Sequence, residues 1–414
     1  MKTYSDCPGV IISIFLFFVV LCISSGISAK TLHEAAATGE LQTIERLLAG
    51  GADIHAKDQD GRIPLHVAVR HDQREAAKLL AAKGANPNVI YKRGMPLIVG
   101  ATYAGSKSAV QLLLEVGADI HARDEKKNTS LHYAITQDHI EIAEYLLSQG
   151  AQIDAPGGAG NTPLHLAVNS GKKILVEYLL SKGANVNTPN ALGFVSLHVA
   201  AECGHLEIGQ LLVQKNAAVN VPAQENYIPL HLAATAGNSE LIKFLLDNGG
   251  LIEAKDALGR TPLYLASIGG YEKSVQLLLE RGAFVNARCK WGHIPLHRAA
   301  SNGHEKVVEI LLAQGAEINV ESDDGYTPLT WAAEHDHEKV IRFLIEKGAD
   351  VNARFPFIEK EISSYRGNTL LHRAAALGDL DMAKYFLSKG AEVNSMNYGG
   401  HTPCEWLFGK KQLS

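Results

Sequence analysis

A period of 33 residues constrains this chain more than any other feature. Its clearest marker is Thr162-Pro163-Leu164-His165-Leu166-Ala167, and the Pro position recurs at Thr31, Pro64, Leu97, Ser130, Pro163, Ser196, Pro229, Pro262, Pro295 and Pro328, each 33 residues after the last. The next copies stand at Leu370 and Pro403, so one spacing alone carries nine extra residues. Two positions beyond the Pro, His recurs as His33, His66, His132, His165, His198, His231, His297 and His372. Even the degraded copy Pro96-Leu97-Ile98-Val99 keeps register. A unit this short cannot bury both of its faces, so copies must stack into a solenoid, and function belongs to a repeated surface.

Residues 161–190 show what one copy contains. Thr162-Pro163 opens a helix, because Pro suits the first turn and a hydroxyl before it accepts an orphan N–H. Leu164, Ala167 and Val168 mark its buried face, and Gly171 ends it. A return helix follows, with Ile174, Leu175, Val176, Leu179 and Leu180 at helical spacing and Lys172, Lys173, Glu177 and Lys182 turned to water. Gly183 closes it, and Ala184-Asn185-Val186-Asn187 leads through a Gly193 turn to the next copy. In the same turn Lys127 and Asn226 replace Gly, which predicts a locally strained turn at Lys127.

Length, marker and second-helix pattern together resemble the ankyrin repeat family from about Lys30 to the C-terminus. The resemblance implies an all-α repeat solenoid of helix-turn-helix units joined by β-hairpin fingers, in about twelve copies with divergent caps at both ends. Residues 30–414 then form a single solenoid with an enlarged finger at 354–366. The resemblance also implies that the marker His bridges neighbouring backbone groups rather than binding metal, and that fingers and first helices line the binding face.

Residues 1–29 differ. Lys2 precedes an apolar run from Val10 to Ile23 and then Ser24-Ser25-Gly26-Ile27-Ser28-Ala29, the layout of a secretory signal peptide cleaved after Ala29. The expected location is outside the cell, in a periplasm or in a secretory lumen. The alternative is an uncleaved anchor and a membrane-tethered structural scaffold, since residues 9–27 approach spanning length. Cys203, Cys289 and Cys404 lie in separate copies, so no disulfide framework is indicated. Asn128-Thr129-Ser130 is a glycosylation sequon, meaningful only in a eukaryotic secretory pathway.

A net charge of −5 and the lack of a long basic run give no reason to expect nucleic acid as partner. Gly157-Gly158-Ala159-Gly160 lacks the Lys-Ser or Lys-Thr ending of a phosphate loop, and no nucleophile elbow or zinc-protease helix is present. No catalytic residue, metal site or cofactor is therefore assigned. His335-Asp336-His337 is the one dense His cluster outside the marker, and it reads as a solvated turn.

The residue after each turn Gly varies while its neighbours repeat, running Arg62, Met95, Asn128, Asn161, Phe194, Tyr227, Arg260, His293, Tyr326, Asn368 and His401. Trp291, Tyr365 and Tyr398 fall beside this row. Aromatic and Arg side chains anchor interfaces, so Phe194, Tyr227, Arg260, Trp291, His293, Tyr326, Tyr365 and Tyr398 are the candidate contacts. Phe355 and Phe357 of the insertion join them, although that segment could equally fold back as a cap. First-helix positions Arg70, His71, Thr136, Gln137, Glu202, Ser301, Asn302, Glu334 and His335 would add polar contacts. The expected activity is non-catalytic binding of a protein partner by a monomer, with a membrane involved only if residues 1–29 are retained.

Overall fold

The computed structural model describes residues 30–91, 94–356 and 367–405, which fall into two compact units divided after Gly158. The expected leader, and Phe357 and Tyr365 of the insertion, lie outside the described residues. The first unit holds four helix pairs, Leu32–Thr38 with Leu41–Ala49, Pro64–Arg70 with Arg74–Ala82, Leu97–Tyr103 with Lys107–Glu115, and Ser130–Thr136 with Ile140–Ser148. The second holds seven, with first helices Pro163–Asn169, Ser196–Cys203, Pro229–Thr235, Pro262–Ile268, Pro295–Ser301, Pro328–Glu334 and Leu370–Leu377. A helical turn at 403–405 opens one more copy.

The sequence accounts for each pair. In the copy at Pro163 the first helix buries Pro163, Leu164, His165, Ala167 and Val168, and the return helix buries Leu175, Val176 and Leu179. Ile174, counted with that apolar face, instead lies 72% exposed, because the stripe that meets the neighbouring copy is only one side of a helix wide. Within the second unit first helices pack on first helices, as Ser196–Cys203 on Pro229–Thr235 and Pro295–Ser301 on Pro328–Glu334, while return helices follow on the other side. The core is therefore continuous along the unit rather than closed within a copy.

The fingers differ from the expected hairpins. Among the described residues only Ile90–Tyr91 (β1) and Met95–Pro96 (β2) pair as antiparallel strands. Elsewhere the described fingers form no paired strands beyond a single antiparallel bridge between Arg354 and Thr369. A turn closes them instead: Asn190 N–H donates to the Phe194 carbonyl at 2.9 Å, and Asn190 Oδ1 accepts from Leu192 and Phe194 N–H. Asp256 does the same for Leu258 and Arg260. The turn requires a left-handed residue, and Lys127 and Asn226 hold φ values of 67° and 59° where other copies have Gly. Successive fingers of the second unit are also stitched by backbone: Gln224, Ala257, Lys290 and Asp323 N–H donate to the carbonyls of Leu192, Glu225, Leu258 and Trp291 at 2.7–3.0 Å.

Candidate protein-binding face

The marker His sets the geometry of the varying row. In the copy at Pro163, His165 Nδ1 accepts from Thr162 N–H and pairs with its hydroxyl at 2.8 Å, while Nε2 lies 2.8 Å from the Phe194 carbonyl in the next finger. With Nδ1 accepting, Nε2 carries the proton and the ring is neutral. The link recurs from His33 to Arg62, His198 to Tyr227, His231 to Arg260, His297 to Tyr326 and His372 to His401, at 2.8–3.2 Å. Each acceptor is the main-chain carbonyl of a row residue. The backbone of the row is thus clamped by the preceding copy, and only its side chains are left to vary.

Neutrality is enforced by burial. Desolvation pushes His66, His198 and His297 down to about 4, and lowers His231 and His372 in the same direction. Four described copies replace the marker His by other residues, and in the last of them Glu405 accepts from Thr402 N–H at 2.9 Å. Val99 supplies no polar group. Thr330 bonds with Thr327, its N-cap, at 3.2 Å. Tyr264 accepts from Arg298 Nε at 2.8 Å, with Cys289 Sγ at 3.7 Å, and burial pushes its phenol up to about 12.

The row side chains are less free than their variation suggests. Phe194 is half-buried and stacks on His198 with ring centres 5.1 Å apart and planes 7° apart, and Tyr227 sits edge-on to His231 at 5.7 Å. Arg260 is half-buried, ion-paired with Asp256 at 2.6 Å and 5.8 Å from the Tyr227 ring centre. His293 and Tyr326 are buried, at 4% and 7% exposure. Phe355 is buried as well, at the base of the insertion, where its N–H and carbonyl bond with Asn368 and Gly367. Trp291 and Tyr398 do project, at 47% and 64% exposure. Of the first-helix positions, Arg70, His71, Thr136, Gln137, Glu202, Asn302, Glu334 and His335 are exposed, whereas Ser301 is buried.

The structure adds a position that sequence reasoning passed over, one residue after the marker His. There Arg298 and Trp331 join row residues in one cluster. Trp331 stacks on Tyr326 at 4.4 Å and on His335 at 5.8 Å, meets His293 edge-on at 5.7 Å and lies 5.5 Å from the Arg298 guanidinium. The signal was present as variation from Val67 through Tyr133 and Leu166 to Arg298, Trp331 and Arg373. Nor do His335 and His337 converge: their ring centres are 6.2 Å apart, and His337 Nε2 lies 2.9 Å from the Ser301 carbonyl. Among the described residues no group of three His, Cys, Asp or Glu is placed to hold a metal, and no helix is long and apolar enough to cross a membrane. Cys203, Cys289 and Cys404 are free thiols.

Comparison with known proteins agrees with this architecture. A family described as ankyrin repeats (3 copies) matches residues 22–91, 84–157, 155–223, 197–289 and 285–355, and one described as ankyrin repeats (many copies) matches 329–387. Similar stretches occur in the transient receptor potential cation channel subfamily A member 1 homolog of Caenorhabditis elegans, 33% identical over 124 residues, covering 30% of this chain and 10% of that protein. Human Rabankyrin-5 is 32% identical over 112 residues, covering 27% and 10%, and the chicken nuclear factor NF-kappa-B p105 subunit is 33% identical over 116 residues, covering 27% and 12%. The chain thus spans about a tenth of the length of these relatives.

Proposed function

Because the chain belongs to the ankyrin repeat family, we propose that it is a non-catalytic scaffold that binds a protein partner on the face made by its fingers and first helices. The observation that carries this reading is the clamped row: the marker His holds main-chain carbonyls at one spacing while the side chains there change from copy to copy. A surface with an invariant frame and variable residues is built for recognition rather than for chemistry. Trp291, Tyr398 and the exposed parts of Phe194 and Tyr227 are its apolar contacts. The signal-like residues 1–29 support export of a chain starting at Lys30.

Two measurements test the reading. Phe194→Ala combined with Trp291→Ala is expected to weaken partner capture from native cells at least tenfold with the helical circular dichroism unchanged; full capture would remove this face. Intact mass and fractionation test export: a soluble species starting at Lys30 is expected, and an uncut chain in membranes would replace it with the tethered scaffold.

A further inference from the structure

Among the described residues, four arginines are half-buried on the first helices or in the varying row. Three have carboxylate partners: Arg62 pairs with Asp58 at 2.8 Å and Asp60 at 2.9 Å, Arg260 with Asp256 at 2.6 Å, and Arg373 with Asp336 at 2.8 Å and Glu334 at 3.9 Å. Arg298 has none within 4 Å among the described residues. Its Nε donates to the Tyr264 hydroxyl and its Nη2 to His293 Nδ1, each at 2.8 Å. Both acceptors are uncharged, so the guanidinium keeps its full charge and three of its five N–H donors. Burying part of a cation without a counterion costs free energy that the other three sites avoid.

The surroundings are rich in donors and rings and short of acceptors. Trp331 lies beneath the guanidinium, and its indole N–H is covered and has no hydrogen-bond acceptor. His335 extends the ring stack to the exposed surface, parallel to Trp331 within 5°. Asp324, the carboxylate on the far side of His293, is taken up by Ser322 Oγ and lies 3.4 Å from His293 Nε2. Glu334 and Asp336 are held by Arg373.

We infer that Arg298, with Trp331 and His335, receives an aspartate or glutamate side chain of the partner polypeptide. A planar carboxylate can use two parallel guanidinium donors, and the Trp331–His335 stack supports the methylenes behind it. The occupant is a side chain carried by a longer segment, because Arg298 and Trp331 are half-buried and His335 is exposed on an open face, where a free small anion would stay hydrated while a tethered one gains contacts around it. This assignment rests on the proposal that the face binds a protein, and it adds the chemistry of one contact.

Random dodecapeptides displayed on phage and selected on the full chain provide the test. Selected peptides are expected to carry Asp or Glu; in a synthetic copy, Glu→Gln should weaken binding at least tenfold on the wild type and less than twofold on Arg298→Gln. His335→Ala, at an exposed position, gives a second variant that leaves the packing intact and is expected to weaken the acidic peptide two- to fivefold. Peptides without acidic residues, or equal affinity for wild type and Arg298→Gln, would overturn the assignment. Peptides that lose binding with Phe194→Ala and Trp291→Ala but not with Arg298→Gln would overturn it while leaving the broader reading in place. Selection of none that respond to any residue of the face would overturn both.

Discussion

Two copies that lack the marker His solve the same local problem in different ways. At Tyr264 the phenol replaces the imidazole with a new polar set: it takes a bond from Arg298, sits beside Cys289, and the first helix Pro262–Ile268 packs on its neighbours as in any other copy. At Val99 nothing replaces it. The finger before it forms the β1–β2 pair, Pro96 caps the helix without a side-chain bond, and a cleft of about 420 Å³ opens between Pro64–Arg70 and Leu97–Tyr103, lined by residues that include Val69, Ala101 and Ala104. The finger after it, which a His here would reach at Asn128, keeps the ordinary turn: Asp124 N–H donates to the Asn128 carbonyl at 3.0 Å and Asp124 Oδ1 accepts from Asn128 N–H at 2.8 Å. The polar link from helix to finger can be rebuilt from different chemistry, and where an apolar residue drops it the finger still closes through its own turn. Tolerance in this scaffold is a matter of donors and acceptors more than of volume.

Acid should break the comparison most widely. The unfolded His value is 6.5, and burial sets the folded value near 4 at His66, His198 and His297. Because the unfolded chain takes up these protons first, stability is complete above pH 6.5 and falls as the pH drops toward 4, by on the order of 3 kcal/mol for each fully buried imidazole. Denaturant midpoints between pH 7 and pH 4 check this; a flat profile would mean that the rings are not held neutral.

Substituting the same residue at both kinds of copy isolates the hydrogen bonds. His297→Leu strands the buried Ile294 N–H, while the Tyr326 carbonyl keeps Ser322 N–H and Oγ as donors, and should cost about 2 kcal/mol, whereas Val99→Leu changes shape alone and should cost less than about 1.5 kcal/mol. Urea unfolding followed by circular dichroism compares them, and His297→Leu should also flatten the pH profile. A smaller effect is expected for Tyr264→Phe, about 1.5 kcal/mol, because Arg298 and Cys289 lose their shared acceptor. Smallest is Lys127→Gly, which relieves the left-handed turn and should raise stability by about 0.5 kcal/mol, with less gain at Asn226→Gly.

Much of this was legible in the residues. The 33-residue spacing located every described first helix to within a residue, since Pro, Leu and Ala at fixed offsets can serve one helical face only. The exception is informative: the first copy starts its helix at Leu32, because Thr31 and Glu34 form a capping box one residue later than the other copies do. The turn positions were legible too, including the positive φ at Lys127. Accessibility along the row was not. Tyr326 reads as an exposed aromatic, yet it is covered by Trp331, five residues on, and His293 is enclosed by Arg298 and Trp331.

What the sequence determined by itself is the unit: its length, its two helices, its left-handed turn and its repeating imidazole, all consequences of local sterics and of a hydrophobic pattern written within one copy. Tertiary structure alone decided which carbonyl each imidazole holds, which rings lie beneath others, and which arginine lacks a carboxylate. Those outcomes depend on side chains from adjacent copies meeting at one place, and a period in sequence carries the register of that meeting but not its chemistry.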